Sequence, residues 1–334
     1  MLKAAIVGFG GIAKAHRHGY EVLQQEGLVR LVAACDIDEG AFTRNIGINL
    51  SVEEGNAGNT LHFYTDLVEM LEKEKPDFVD ICTPTYCHPE LAVAVLGMGY
   101  PVLCEKPMAL TAADTENMLR AERESGKPLM IAQCVRFMGE YAYLHDCVKD
   151  GRYGCLRAAY FSRISAPPIW GSNNWFMDFE KSGGVLTDMH IHDIDVARHI
   201  FGQPQAVSCR EGNVISRCDV AHTTLHYGSA PVTVIGDWSL TGVPFSATFR
   251  VNLEGATLVL EGDVLTVYPR DGQPFTPTMP AHDSYTAEIA YFCRIVKGEL
   301  ENTVNPAADS AKTIQLIEAM RKSAAKDGAV VQLS

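Results

Sequence analysis

The sequence predicts two successive α/β domains: a doubly wound parallel sheet, then an α+β domain built on a large open, mostly antiparallel sheet. Three observations predict this. The chain has 334 residues, more than one core usually serves when domains average roughly 150. Residues 1–134 alternate continuously apolar runs with helix-length segments, the order of βαβ units whose strands are covered on both faces. Residues 135–334 switch to half-polar strands with period-two patterning, as in a sheet with one face on helices.

In the first domain the apolar runs are KAAIVGFG, LVRLVAACDID, DFVDICTP, PVLCEKP and PLMIAQCV. The segments TDLVEMLEKE, PELAVAVLGMG and TAADTENMLRAERESG lie between them as helices. Pro89 suits a first helical position, and Gly97 or Gly99 suits an end. The second domain reads as seven strands, RAAYFSRIS, QAVSCREGNVI, DVAHTTLHYG, VTVIGDWSL, FSATFRVNLEG, ATLVLEG and VLTVYP, then two helices, SYTAEIAYFCRIVKG and PAADSAKTIQLIEAMRKSAAKDG.

The first strand runs into Gly8-Phe9-Gly10-Gly11-Ile12-Ala13, a GxGxxA pattern. In a Rossmann βαβ unit the first glycine makes the tight turn and the second lets the backbone approach a pyrophosphate. The small third residue packs the helix close, and its free N–H groups face the phosphates. An ordinary glycine-rich turn would look the same, but here a strand precedes the motif, helix-compatible sequence follows, and Asp36 ends the next strand. A carboxylate there accepts both ribose hydroxyls and repels a 2′-phosphate. With no Arg or Lys beside it, NAD is favoured over NADP, although a solvated aspartate remains the bland alternative. Two further strand ends point to the same cleft, Thr83-Pro84-Thr85-Tyr86-Cys87-His88 and Glu105-Lys106-Pro107. His88 suits a helix cap at least as well as a ligand contact. Lys106, between an apolar strand and a proline, is placed to hold a substrate hydroxyl beside a nicotinamide.

The formal charge of −13 opposes phosphate backbones and anionic lipid surfaces, so neither nucleic acid nor membrane is an expected partner. No apolar run reaches the ~18 residues of a membrane span. The apolar start continues straight into a helical pattern, against a secretory leader. The ten cysteines contain no CxxC pair, and several sit in apolar strands, so a reducing cytoplasm is the expected setting.

The densest polar stretch is DMHIHDID, residues 188–195. On a strand, His190 and His192 would be an HxH metal pair. The stretch lies between Ser182-Gly183-Gly184 and Gly202, punctuation for a helix of about 17 to 19 residues, far longer than a typical strand. At ~100° per residue the two rings then face opposite ways. Asp188, His192, Asp195 and His199 share one stripe. No metal is therefore expected, and Asp188 with His192 becomes either an acid/base pair or a structural hydrogen-bonded pair. His190 is left without a role beyond packing or a subunit contact.

GFGGIA, Asp36, TPTYCH, EKP, the VRF segment and WFMDFEKSGGVLTDMHIHDID occur in the order seen in the Gfo/Idh/MocA oxidoreductases, which the chain resembles over nearly its full length. The last segment most resembles inositol dehydrogenases. The resemblance implies an N-terminal NAD-binding domain (1–134) and a C-terminal substrate-binding sheet domain (135–334) used in assembly of a dimer or tetramer. It also implies hydride transfer from a polyol or sugar carbinol to NAD. By motif, Lys106, Asp188 and His192 match the family's catalytic positions. Cofactor contacts are then expected from Gly8, Phe9, Gly10, Gly11, Ile12, Asp36, Thr83, Pro84, His88, Glu105 and Lys106. Arg136 and Trp175 join Lys106, Asp188 and His192 as substrate-side expectations, each equally suited to packing. Trp170, Asn173 and Asn174, in the loop before the Ser-Gly-Gly turn, suit a hydroxyl-rich ligand. Two rival functions stay open: an enzyme that retains NAD and oxidises transiently for elimination or glycoside cleavage, and a non-enzymatic NAD- or sugar-binding protein.

Overall fold

A computed structural model describes residues 1–43 and 61–333, and the chain divides into two compact units. The first comprises Met1–Cys134, Trp170–Trp175 and His282–Ala311; the second comprises Val135–Ile169, Phe176–Ala281 and Lys312–Ser334. The continuous boundary read from sequence therefore differs from the observed partition, because two later segments return to the first unit.

The first unit holds a six-stranded parallel sheet. Its strands are β1 (Leu2–Val7), β2 (Val29–Cys35), β3 (His62–Tyr64), β4 (Phe78–Ile81), β5 (Val102–Glu105) and β6 (Leu129–Ala132), in the order β3-β2-β1-β4-β5-β6. That order reverses between β1 and β4, and ligands bind outside the carboxyl ends of strands at such a reversal. The strands are nearly all buried apolar residues because helices cover both faces. Short β3, which carries two exposed residues, was not visible as a strand in the sequence.

Helices α1 (Gly11–Gln25), α2 (Leu67–Glu74), α3 (His88–Gly97) and α4 (Ala112–Ser125) alternate with these strands. Asp66 caps α2 and Thr111 caps α4, each side chain accepting a backbone N–H of the first turn. A later helix, α9 (Ser284–Val296), packs on α1. The contact is close because Gly19 has no side chain: a Cβ there would lie 3.0 Å from Ile289 Cδ1 and 3.3 Å from the Thr286 Cα.

The second unit is built on an eight-stranded sheet. Its strands are β7 (Leu156–Ile164), β8 (Ala206–Gly212), β9 (Val220–Tyr227), β10 (Ala230–Asp237), β11 (Ser246–Leu253), β12 (Ala256–Glu261), β13 (Val264–Pro269) and β14 (Val331–Gln332). The order is β13-β12-β11-β7-β10-β9-β8-β14, antiparallel except for the β7–β10 pair. Alternation of buried and more exposed positions in β11 and β12 follows the period-two pattern of the sequence. Helices α5 (Gly139–Lys149), α6 (Phe179–Ser182), α7 (Gly184–Asp188) and α8 (Ile191–Phe201) belong to this unit, and α10 (Ala307–Ala324) carries the chain back into it.

The expected single helix from the Ser-Gly-Gly turn to Gly202 is instead two helices joined at Met189-His190. Met189 N and His190 N both donate to Val185 O, at 3.0 and 2.8 Å, and the next turn tightens with His192 N to Met189 O at 3.3 Å. One wide turn followed by one narrow turn marks the break between α7 and α8; of the expected stripe, Asp188, His192 and His199 are half-buried and Asp195 is buried. The glycines before it are required. Gly183 sits at φ +72°, and a Cβ on it would lie 2.5 Å from Thr187 Oγ1. No helix among the described residues is long and apolar enough to cross a membrane.

Candidate active site

The Gly8–Gly11 turn meets the end of β4 at close range. Gly8 has φ +87°, and a Cβ there would lie 2.7 Å from Thr83 Cγ2 and 2.8 Å from the Cys82 carbonyl carbon and oxygen. Only glycine meets both demands, a left-handed backbone and contact with a neighbouring main chain. Gly10 is different: a Cβ on it would meet nothing within 4 Å among the described residues. Gly10 also precedes α1 with no side-chain cap, whereas Asp66, Thr111 and Asp283 cap α2, α4 and α9. No side chain caps the first N–H groups of α1, and its first turn carries no acidic residue. A helix end of that kind accepts an anion.

Asp36, just past β2, accepts the backbone N–H of Phe9 on Oδ2 at 2.7 Å and that of Asp38 on Oδ1 at 2.9 Å. Both bonds hold the carboxylate beside the glycine turn while leaving lone pairs for further donors. Phe9 packs 5.8 Å from both Phe42 and Phe63, ring centre to ring centre, an aromatic group that the sequence reading passed over. Gly11 and Ile12 open α1, and Ala13 is buried beneath them. Pro84 follows Thr83 and begins a short turn over Thr85–Cys87. Thr83 Oγ1 is buried with no hydrogen-bond partner among the described residues, a polar atom that a bound ligand could satisfy. The open cradle at Gly10, the Asp36 carboxylate and the orphaned Thr83 hydroxyl together fit the pyrophosphate and ribose of NAD.

Three expected contacts have other duties. His88 is 1% exposed, with Nδ1 2.7 Å from Pro107 O and Nε2 2.8 Å from Thr83 O. Burial outweighs these carbonyls and lowers its pKa, and a neutral ring donates to one of the two carbonyls at a time. Glu105 is also buried: one oxygen lies 2.9 Å from His16 Nε2 and the other accepts the Lys106 N–H at 2.9 Å. Arg136, expected on the substrate side, has an internal partner. Its side chain is fully buried and makes a bidentate pair with Asp195, both bonds 2.7 Å, the fork geometry guanidinium favours.

In the second unit, DMHIHDID separates into four fates. Asp193 pairs with Arg163 at 3.0 Å, and Asp195 with Arg136 and Thr313. Burial opposes the Asp195 charge, but Arg136 outweighs it and holds the carboxyl below its usual range. His190 is completely buried, its Nε2 2.9 Å from Thr223 Oγ1, and it rests against Gly236, where a Cβ would come within 2.7 Å of Nδ1. Burial, then His222 and Arg163, push its pKa down to about 3, so His190 is a neutral packing residue. Only Asp188 and His192 stay partly exposed. His199, expected on the same stripe, stacks on His145 at 4.6 Å.

Lys106, partly exposed, leads into a cis peptide with Pro107 at the end of β5. Trp175 groups with the first unit, its ring 6.5 Å from that of Tyr86 and edge-on to it. Asn173 and Asn174, beside it, are both left-handed, with φ 53° and 54°. Sequence reasoning missed His16, Asp80 and Glu288, which meet behind Glu105. The one available signal was Asp80, a charged residue inside the otherwise apolar run FVDI.

The N-terminal region matches the family model described as "Oxidoreductase family, NAD-binding Rossmann fold" over residues 2–133, and residues 141–259 match the GFO/IDH/MocA C-terminal domain. A D-apiose dehydrogenase of Paraburkholderia graminis is 28% identical over 99% of this chain and 89% of its own length. A myo-inositol 2-dehydrogenase of Thermotoga maritima is 29% identical over 64% of this chain and 59% of its own. The aldose-aldose oxidoreductase of Caulobacter crescentus shares the fold, with a TM-score of 0.81 at 22% identity over 99% of each chain. The glycine turn, the Asp36 carboxylate and both sheet topologies thus agree with the two matched models, and the chain belongs to the Gfo/Idh/MocA oxidoreductase family.

Proposed function

We propose that this protein is an NAD-dependent dehydrogenase of a CH–OH group on a polyol or sugar. The observation that carries the reading is the cofactor cradle: Gly10 open in front of an uncapped α1, with Asp36 anchored beside it. The names of the D-apiose and myo-inositol relatives supply the substrate class.

Gly8 to Ile12 would hold the pyrophosphate, Asp36 the ribose hydroxyls, and Thr83 and Pro84 the inner wall. Bound NAD supplies the hydride acceptor. We assign Lys106, Asp188 and His192 as the catalytic set, with three roles. His192 takes the substrate hydroxyl proton as general base. Lys106 donates a hydrogen bond to the same oxygen and stabilises its developing negative charge. Asp188 orients His192. Trp175 with Tyr86 offers an aromatic edge to an apolar sugar face. Assembly into a dimer or tetramer through the eight-stranded sheet, in the cytoplasm, completes the proposal; light scattering on the purified protein measures the assembly state.

The test is NADH formation across inositols, aldoses, uronates and sugar alcohols, with NADP in parallel. NADH should form with at least one polyol or sugar, and His192→Ala should lose activity mainly in kcat. Preference for NADP would refute the role of Asp36, and wild-type kcat and pH dependence in His192→Ala would refute the base. Tightly retained NAD without net NADH release would mean transient oxidation instead.

A further inference from the structure

The first unit buries an acid-rich cluster behind Lys106 that the proposed hydride transfer does not use. His16 of α1 is completely buried, with Nδ1 2.8 Å from Asp80 Oδ2 and Nε2 2.9 Å from Glu105 Oε1. One turn along α1, the Tyr20 hydroxyl donates to the same Asp80 oxygen at 2.8 Å. The Cys82 thiol lies 3.6 Å from the other Asp80 oxygen. Glu105 Oε2 accepts the Lys106 backbone N–H. From α9, Glu288 brings Oε1 to 4.0 Å from His16 Nε2, and neither of its oxygens has a hydrogen-bond partner among the described residues. The Tyr285 ring, also on α9, sits 5.6 Å from that of His16.

Carboxylate oxygens at both ring nitrogens require two N–H donors, which only the imidazolium has. Burial opposes that charge, and the Asp80 carboxylate overcomes it, raising His16 well above the ordinary histidine value. Glu288 behaves oppositely: burial, backed by Glu105, Asp80 and Asp283 against the pull of His16, drives its carboxyl well up, so it is a neutral acid. The cluster therefore holds one cation between two anions, where low polarizability makes each contact stiff. It links α1, whose first turn faces the proposed phosphate seat, to the residue that carries Lys106.

We propose that the His16–Glu105 ion pair is a positioning device for Lys106, locking the lysine's backbone to helix α1 so that the cofactor seat and the lysine move as one. This rests on the dehydrogenase reading. Glu105 and His16 touch no reacting atom; they act through the main chain of Lys106.

The test uses the full-length protein with saturating NAD, and D-apiose and myo-inositol as probes, in single-turnover mode. Glu105→Gln keeps an oxygen for the Lys106 N–H but removes the anion, and Glu105→Ala removes both. The hydride-transfer rate constant should fall about 10- to 100-fold in Glu105→Gln, as for a reacting group displaced by a fraction of an ångström to about 1 Å. It should fall further in Glu105→Ala, with NADH affinity by fluorescence close to wild type. A single-turnover rate constant does not depend on the fraction of folded protein. Loss of amplitude and Tm with a wild-type rate constant would therefore mean a purely structural role and overturn the proposal. If wild type oxidises neither probe, the substrate reading has failed, and nitrogen NMR of the wild-type histidines decides the ion pair separately. Both ring nitrogens of His16 should be protonated at about pH 8, well above the ordinary histidine value. A neutral ring, or stoichiometric metal in the purified protein, would overturn the pair.

Discussion

Gly10→Ala separates cofactor binding from folding at a single methyl group. Gly10 has φ −82° and ψ −159°, extended backbone that alanine adopts without strain, and its added Cβ meets no atom of the described residues within 4 Å. Folding stability should therefore stay within about 0.5 kcal/mol, or rise slightly because alanine restricts the unfolded chain. The same methyl occupies the space where a pyrophosphate would approach the backbone, so the NADH dissociation constant should rise at least about tenfold, or ~1.4 kcal/mol. Gly8→Ala is the contrast. Its φ of +87° costs ~1–3 kcal/mol for a side-chain-bearing residue, and its Cβ would strike the Cys82 main chain, so stability and binding should fall together. Fluorescence titration with NADH, run beside urea unfolding, reads both quantities. Gly10→Ala that folds normally and binds NADH like wild type would refute the phosphate seat.

Other expectations follow from the buried charges of the second unit. Arg136→Met leaves Asp195 buried without its ion pair and should cost ~3–5 kcal/mol, with Asp195→Leu in the same chain restoring much of it. Because the Asp195 carboxyl lies below its usual range in the folded state, the pair's stabilisation is present above the unfolded value and lost as pH falls through the folded one. The variant's deficit, measured by urea unfolding, should accordingly be larger at pH 8 than near ~4, where an unfolded aspartate takes up its proton. A raised KM with unchanged stability would instead make Arg136 a ligand residue. His190, neutral down to about 3, binds no proton where the unfolded chain does. It should therefore remove ~1.4 kcal/mol of stability per pH unit as pH falls below ~6.5. His190→Gln should flatten that acid limb of an unfolding-versus-pH series with little change in kcat, and an unaltered limb would contradict the neutral assignment.

Local signals made much of this fold readable. Continuous apolar runs marked β1, β2, β4, β5 and β6 because strands covered on both faces need no polar side, and period-two alternation marked β11 and β12 in the same way. The glycine turn and Asp36 stood out in the sequence because the demands of a βαβ turn fall within one unit of the chain. Separation of His190 from His192 needed only the knowledge that the segment is helical.

What the sequence could not determine was how each charged side chain is satisfied, because the partners lie far along the chain. Arg136 meets Asp195 across 59 positions, His16 meets Glu105 across 89, and Arg198 meets Thr313 across 115. These pairings give Arg136 and Glu105 internal partners. The wide turn at Met189-His190 and the return of α9 to α1 across Gly19 are likewise products of packing, which no local periodicity encodes. Sequence alone determined most of the strands and helices, though not short β3 or the break between α7 and α8, since local propensity depends on neighbours a few residues away. Tertiary structure decided which polar groups remain available for chemistry, since a buried charge must find a partner wherever the fold brings one within about 3 Å.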